Sequence, residues 1–63
     1  MKKILIIEDD EFLRSLAAKR LGQEGYTVLA AANGDEGLKL AESDKPDLIL
    51  LDLLFLFRNH LEF

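Results

Sequence analysis

Hydrophobic positions along the chain form three apolar segments, and each predicts a β-strand. Residues 3–7 and 47–52 contain continuous apolar runs, which are typical of parallel strands covered on both faces. Residues 26–31 are less apolar and predict a strand at the edge of a sheet.

The segment after the first strand predicts an amphipathic helix. Asp9 or Asp10 can cap its N-terminus, where the helix dipole favours acidic side chains. Gly22 or Gly25 can end it. Apolar residues recur at helical spacing and predict one buried face, made of Leu13, Leu16, Ala17 and Leu21.

The segment after the second strand predicts a second helix, ending near Ser43. Asn33 can cap it, and the acid three residues later completes a pattern similar to a capping box. Gly37 lies inside the helix and should weaken it by roughly 1 kcal/mol relative to alanine. Pro46 prevents the helix from continuing. The expected buried side chains are Leu38 and Ala41, with Leu40 partly covered.

Alternation of strands and helices predicts an α/β fold with a parallel sheet and right-handed crossovers. The apolar third strand is expected to pair with the first, which gives the strand order 2-1-3. The chain then changes direction across the sheet between strands one and three. Ligands of open α/β sheets bind at such a switch point, beyond the carboxyl ends of the strands.

Acidic residues follow both of the strands that meet at this point. Glu8 and Asp9 come directly after the first strand, and Asp52 ends the third. Oxygen ligands of this kind suit Mg²⁺. An alternative interpretation is that residues 8–11 only begin a solvated helix, which explains Asp10 and Glu11 well but does not explain Asp52.

Composition narrows the class of protein. The chain has 63 residues, 49% of them hydrophobic, no cysteine and a net charge of -4. These values predict one small globular domain, or a fragment of one, without disulfides. They also argue against nucleic-acid binding, which relies on clustered basic residues. No apolar run approaches the ~20 residues of a membrane-spanning helix, so we expect a cytoplasmic protein with no membrane partner.

Four segments of the chain carry the most specific pattern, and they are residues 3–11, 25–28, 32–38 and 45–53. In their order and spacing they resemble the receiver domain of bacterial two-component response regulators. The resemblance covers residues 2–53 and implies a flavodoxin-like fold. It also implies a signalling module, not an enzyme, in which an aspartate takes a phosphoryl group from a sensor histidine kinase with Mg²⁺ present.

Transferred by position, the resemblance gives each acid a role. Asp52 is the phosphoacceptor and nucleophile, and it also contacts the metal. Asp9 is a direct Mg²⁺ ligand, Glu8 acts through a metal-bound water, and the main-chain carbonyl of Leu54 completes the ligands. Gly37 departs from the family, in which alanine is usual.

The resemblance ends after Leu53, so we expect residues 1–53 to form a partial receiver domain and residues 54–63 to form a divergent apolar tail. A full receiver has five strands, and this chain reaches the third. The lysine and the hydroxyl residue of the later strands have no counterpart here. We therefore expect a truncated phosphorelay module with impaired phosphotransfer. The alternatives are a self-associating half-receiver without phosphotransfer and a simple divalent-metal binder.

Exposed apolar surface predicts a homodimer. Without a fourth strand, the third strand becomes an edge, and apolar edges pair with other chains. The tail can form a helix with an apolar face or extend the third strand, and the sequence leaves both open. No Gly-rich loop follows the first strand, which argues against a nucleotide-binding Rossmann unit. The expected interface residues are Leu50, Leu54, Phe55, Leu56, Phe57 and Leu61.

Overall fold

The predicted alternation of strands and helices is present in a computed structural model, which describes residues 2–51. The second and third strands each begin one residue later than predicted, and the second helix ends one residue later. The elements, in chain order, are β1 (Lys3–Ile7), α1 (Glu11–Gln23), β2 (Thr27–Ala31), α2 (Gly34–Asp44) and β3 (Leu48–Leu51).

The sheet has the predicted order β2-β1-β3, and both pairings are parallel. Ile7 at the end of β1 is in register with Ala31 on one side and with Leu51 on the other. The described residues therefore form the βαβαβ half of a flavodoxin-like fold, as predicted. The carboxyl ends of all three strands lie at the same edge.

Burial is concentrated on the central strand. Ile4, Leu5 and Ile6 are buried, together with Ala31 at the end of β2. α1 packs on β1 and β2, and α2 packs on the same two strands. The continuous apolar run of β1 is thus explained, because both of its faces are covered.

The structure settles the predicted ends of α1. Asp10, not Asp9, is the N-cap, and its Oδ1 accepts a hydrogen bond of 2.9 Å from the Leu13 N–H. The helix ends at Gln23, and Gly25 then takes a φ of 97°. Glycine adopts this left-handed conformation without the steric cost that a side chain would add.

Two of the predicted core leucines are exposed, so this part of the prediction is wrong. Leu16 on α1 is 53% exposed, and Leu38 on α2 is 61% exposed. Within the described residues each helix packs on the sheet, but this packing leaves more than half of each of these two side chains exposed. Leu13, Ala17, Leu21, Leu40 and Ala41 are half-buried.

A set of hydrogen bonds holds β3 against β1 at the other edge of the sheet. Asp47 Oδ2 accepts from the Lys3 N–H at 2.8 Å, and the Asp47 N–H donates to the Lys3 carbonyl at 2.7 Å. The Lys3 ammonium also donates to the Asp44 carbonyl. These bonds fix the register that brings Ile7 and Leu51 together. None of the helices within residues 2–51 is both long enough and apolar enough to span a membrane.

Candidate functional site

The candidate site lies at the carboxyl edge of β1 and β3. The register of Ile7 with Leu51 places the ends of these strands side by side. Glu8 follows Ile7 in the chain, and Asp52 follows Leu51. Asp52 itself lies outside the described residues, as do the predicted metal ligand and interface residues Leu54, Phe55, Leu56, Phe57 and Leu61.

Glu8 is the most buried polar residue of the described chain, with 1% of its surface exposed. Its Oε2 accepts a hydrogen bond of 3.0 Å from the Asp10 N–H, and its own N–H donates to the Ala31 carbonyl at 3.0 Å. A buried carboxylate is costly unless hydrogen bonds stabilise it. The backbone of the β1–α1 turn supplies such a bond and thereby stabilises the buried carboxylate of Glu8.

The neighbouring acids have different surroundings. Asp9 is exposed, whereas Asp10 is committed to capping α1 and Glu11 begins the helix. The helix-start interpretation is therefore confirmed for Asp10, and the first turn of α1 accounts for Glu11. Glu8 and Asp9 are the two carboxylates of this turn that neither cap nor begin the helix.

Sequence reasoning missed Arg14. This half-buried residue of α1 donates a hydrogen bond of 2.9 Å from its Nη1 to the main-chain carbonyl of Glu8. The sequence contains one indication of this contact. Arg14 follows the capping Asp10 by four residues, and a helix places side chains at that spacing on one face. Its long side chain reaches from the second turn of α1 to the end of β1.

The donor set fits a hard divalent cation. Mg²⁺ is usually held by one or two carboxylates and keeps several waters, and Glu8 and Asp9 are consecutive acids at the end of β1. Residues 2–51 contain no group of three or more side chains arranged as metal ligands. The third carboxylate that the sequence predicts is Asp52, which comes next in the chain after Leu51.

A separate apolar groove of about 350 Å³ lies between α2 and the strands β1 and β3. Among residues 2–51 its lining is apolar, so this part of the chain offers no ligand for a cation there. It is bordered by Ile7, Gly34, Gly37, Leu38, Ala41, Ile49 and Leu51.

Comparison with known proteins agrees with this geometry. The family model described as "Response regulator receiver domain" matches residues 4–55. The chain is 47% identical over 53 residues to the alkaline phosphatase synthesis transcriptional regulatory protein PhoP of Bacillus subtilis, covering 84% of the chain and 22% of the relative. It is 43% identical over 54 residues to the transcriptional regulatory protein AfsQ1 of Streptomyces coelicolor, covering 86% and 24%.

A third relative extends the match along the chain. The transcriptional regulatory protein CpxR of Klebsiella pneumoniae is 40% identical over 62 residues, which are 98% of this chain and 26% of the relative. The chain thus spans about a quarter of the length of these relatives. No solved structure matches it. With the family match, the strand order and the acids at the carboxyl edge in agreement, the chain belongs to the response regulator receiver domain family.

Proposed function

We propose that the chain is a phosphoacceptor module of two-component signalling in which Asp52 receives the phosphoryl group. The register of Ile7 with Leu51 carries this proposal, because it aligns the strand that precedes Asp52 with the strand that precedes Glu8 and Asp9. A sensor histidine kinase is the proposed phosphoryl donor, as for response regulators in general.

The chemistry is a nucleophilic displacement at phosphorus. A carboxylate oxygen of Asp52 forms the new P–O bond, while the bond from phosphorus to the donor's histidine nitrogen breaks. Glu8, Asp9, Asp52 and the Leu54 carbonyl would hold Mg²⁺. When bound, the cation offsets the negative charge of the acids and of the transferring group. Burial and the hydrogen bond from the Asp10 N–H keep the Glu8 carboxylate in place.

We expect phosphorylation of Asp52 to be slow and substoichiometric. The 63 residues contain no counterpart of the lysine that the family resemblance implies for contacting the phosphoryl oxygens. Mass spectrometry after incubation with acetyl phosphate and Mg²⁺ should show a small, Mg²⁺-dependent adduct. Asp52→Asn is the matched control and should carry none. A stoichiometric adduct would contradict the impaired reaction, and an adduct that persists in D52N would contradict the assignment of the site.

A second candidate function is self-association, which the exposure of β3 favours. Leu48 is 51% exposed, and Ile49 and Leu51 are also exposed, although all three are large apolar residues. Within residues 2–51 this strand pairs with β1 and is packed closely by neither helix. Exposed apolar edges of this kind pair with other chains. The half-buried Leu50 belongs to the same strand, and we propose a homodimer in which the β3 strands meet.

Light scattering at micromolar concentration tests the dimer. The wild-type chain should have the mass of two copies, and Leu48→Lys should shift it toward one copy, because a charged edge opposes strand pairing. Leu16→Lys is the control, since Leu16 is similarly exposed on α1, and it should remain dimeric. A wild-type chain with the mass of one copy would contradict the proposed homodimer.

A further inference from the structure

Hydrogen bonds between side chains and backbone close the turn between β1 and α1. Glu8 Oε2 accepts from the Asp10 N–H, and Asp10 Oδ1 accepts from the Leu13 N–H. Arg14 Nη1 donates to the Glu8 carbonyl at 2.9 Å. The first two bonds are made by acids within the turn, whereas the third reaches back from the helix to the end of the strand.

The bond from Arg14 closes the turn at the residue where the strand ends. The Glu8 N–H is already paired with the Ala31 carbonyl of β2, so the guanidinium bond fixes the other side of the same residue. A hydrogen bond from a charged donor is stronger than one between neutral groups. The arginine backbone is itself held, because the Arg14 N–H donates to the Asp10 carbonyl at 2.9 Å.

We propose that Arg14 is a positioning residue for the acidic turn. By holding the Glu8 carbonyl, it keeps the Glu8 carboxylate inside the turn and Asp9 at the surface, before any cation arrives. Ligands that are held in their binding geometry in advance lose less entropy on binding. This inference rests on the proposed function of Glu8 and Asp9 as Mg²⁺ ligands.

A different role for Arg14 would have the opposite effect on the metal. A positive charge beside two carboxylates also repels a divalent cation, so an arginine that acted only as a countercharge would weaken Mg²⁺ binding. Removing that arginine would then tighten binding. The sign of the change in Mg²⁺ affinity therefore separates the two roles.

The test compares Arg14→Ala with Arg20→Ala, which removes the same charge from the exposed last turn of the same helix. Mg²⁺ is titrated while backbone amide signals of Glu8, Asp9 and Asp10 are followed by NMR. We expect R14A to raise the Kd for Mg²⁺ about tenfold, in the range found for residues that orient metal ligands. R20A should leave it unchanged, and Arg14→Lys should recover part of the loss.

Hydrogen exchange in metal-free protein gives a second readout that does not depend on Mg²⁺. The Asp10 amide should exchange faster in R14A than in R20A, because its bond to the Glu8 carboxylate depends on the position of the turn. Exchange at Leu5 and Ile6 reports global unfolding and serves to normalise the comparison. If R14A does not fold, the same measurements on Arg14→Lys against wild type decide the question, with changes of the same sign expected.

The outcomes are distinct. Tighter Mg²⁺ binding in R14A, or an unchanged Kd with unchanged Asp10 exchange, overturns the positioning role. If the wild-type chain shows no response to Mg²⁺, the proposed metal site is wrong. The role of Arg14 is then decided by the exchange rate of the Asp10 amide alone. Faster normalised exchange in R14A then still supports Arg14 as the residue that orders the turn, and unchanged exchange overturns it.

Discussion

Leu5→Ala is expected to remove about 2–5 kcal/mol from the free energy of unfolding, the range for leucine to alanine in a packed core. Leu5 lies at the centre of β1, the middle strand, and none of its surface is exposed. A chain of 63 residues has roughly 3–9 kcal/mol of stability in total. The substitution should therefore leave a large unfolded fraction in water, which urea titration followed by far-UV circular dichroism measures.

Leu16→Ala is the matched control for this experiment. It removes the same atoms from a residue that the sequence predicts to be buried but that is 53% exposed. Because alanine is also the better helix former, L16A should change the unfolding free energy by less than about 1 kcal/mol. All variants are compared at one protein concentration, since self-association would make stability depend on it. Equal losses in L5A and L16A would contradict the burial described here.

The strands and their order were predictable because their signals are local. A continuous apolar run identifies β1 as a strand covered on both faces, and the alternation of elements restricts the topology to a few choices. The cap of α2 was predictable for the same reason. Asn33 Oδ1 accepts from the Glu36 N–H at 2.9 Å, as the spacing predicts. The reciprocal bond differs in one detail, since Glu36 Oε1 accepts from the Ala32 N–H instead of the Asn33 N–H.

The features that sequence reasoning missed depend on how the helices pack against the sheet. The helical spacing of Leu16 and Leu38 shows that each belongs to an apolar stripe, but it does not show which part of that stripe meets the sheet. The bond from Arg14 to Glu8 depends on the angle between α1 and β1. For the candidate site, the sequence alone identified Glu8 and Asp9 as neighbours at the switch point, and it assigned Asp10 as one of two possible caps.

For the substitution Gly37→Ala, helix propensity and packing predict opposite changes in the free energy of unfolding. Helix propensity alone predicts that Gly37→Ala stabilises α2 by about 1 kcal/mol. In the structure Gly37 is buried where α2 meets β1. A Cβ at this position would overlap Ile7 Cδ1 and lie 2.7 Å from Ile7 Cγ1, closer than carbon atoms pack. The neighbouring Ala31 Cβ, at 3.7 Å, would be in ordinary contact.

We therefore expect Gly37→Ala to lower the free energy of unfolding by about 1–3 kcal/mol, the usual cost of an extra methyl group in a packed contact. Gly22→Ala is the matched control. Gly22 lies near the end of α1, and a Cβ there would have nothing within 4 Å. G22A should gain stability, by up to about 1 kcal/mol. If urea titration shows that both variants are stabilised alike, the contact between Gly37 and Ile7 does not limit the packing of α2.

A double-mutant cycle with Ile7→Ala tests whether the contact with Ile7 causes the loss of stability in G37A. Ile7→Ala removes the two carbon atoms to which a Cβ at Gly37 would come too close. It should therefore destabilise the protein alone but relieve the overlap in the double variant. In that background G37A should be neutral or stabilising, with a coupling energy within the range of about 0.5–3 kcal/mol seen for residues in contact. Additive effects would mean that alanine is disfavoured at position 37 for a reason other than Ile7. If G37A is instead neutral or stabilising in the Ile7→Ala background, the isoleucine side chain occupies the space that a methyl group at position 37 needs. That result would explain why this chain has glycine at a position where the family resemblance implies alanine.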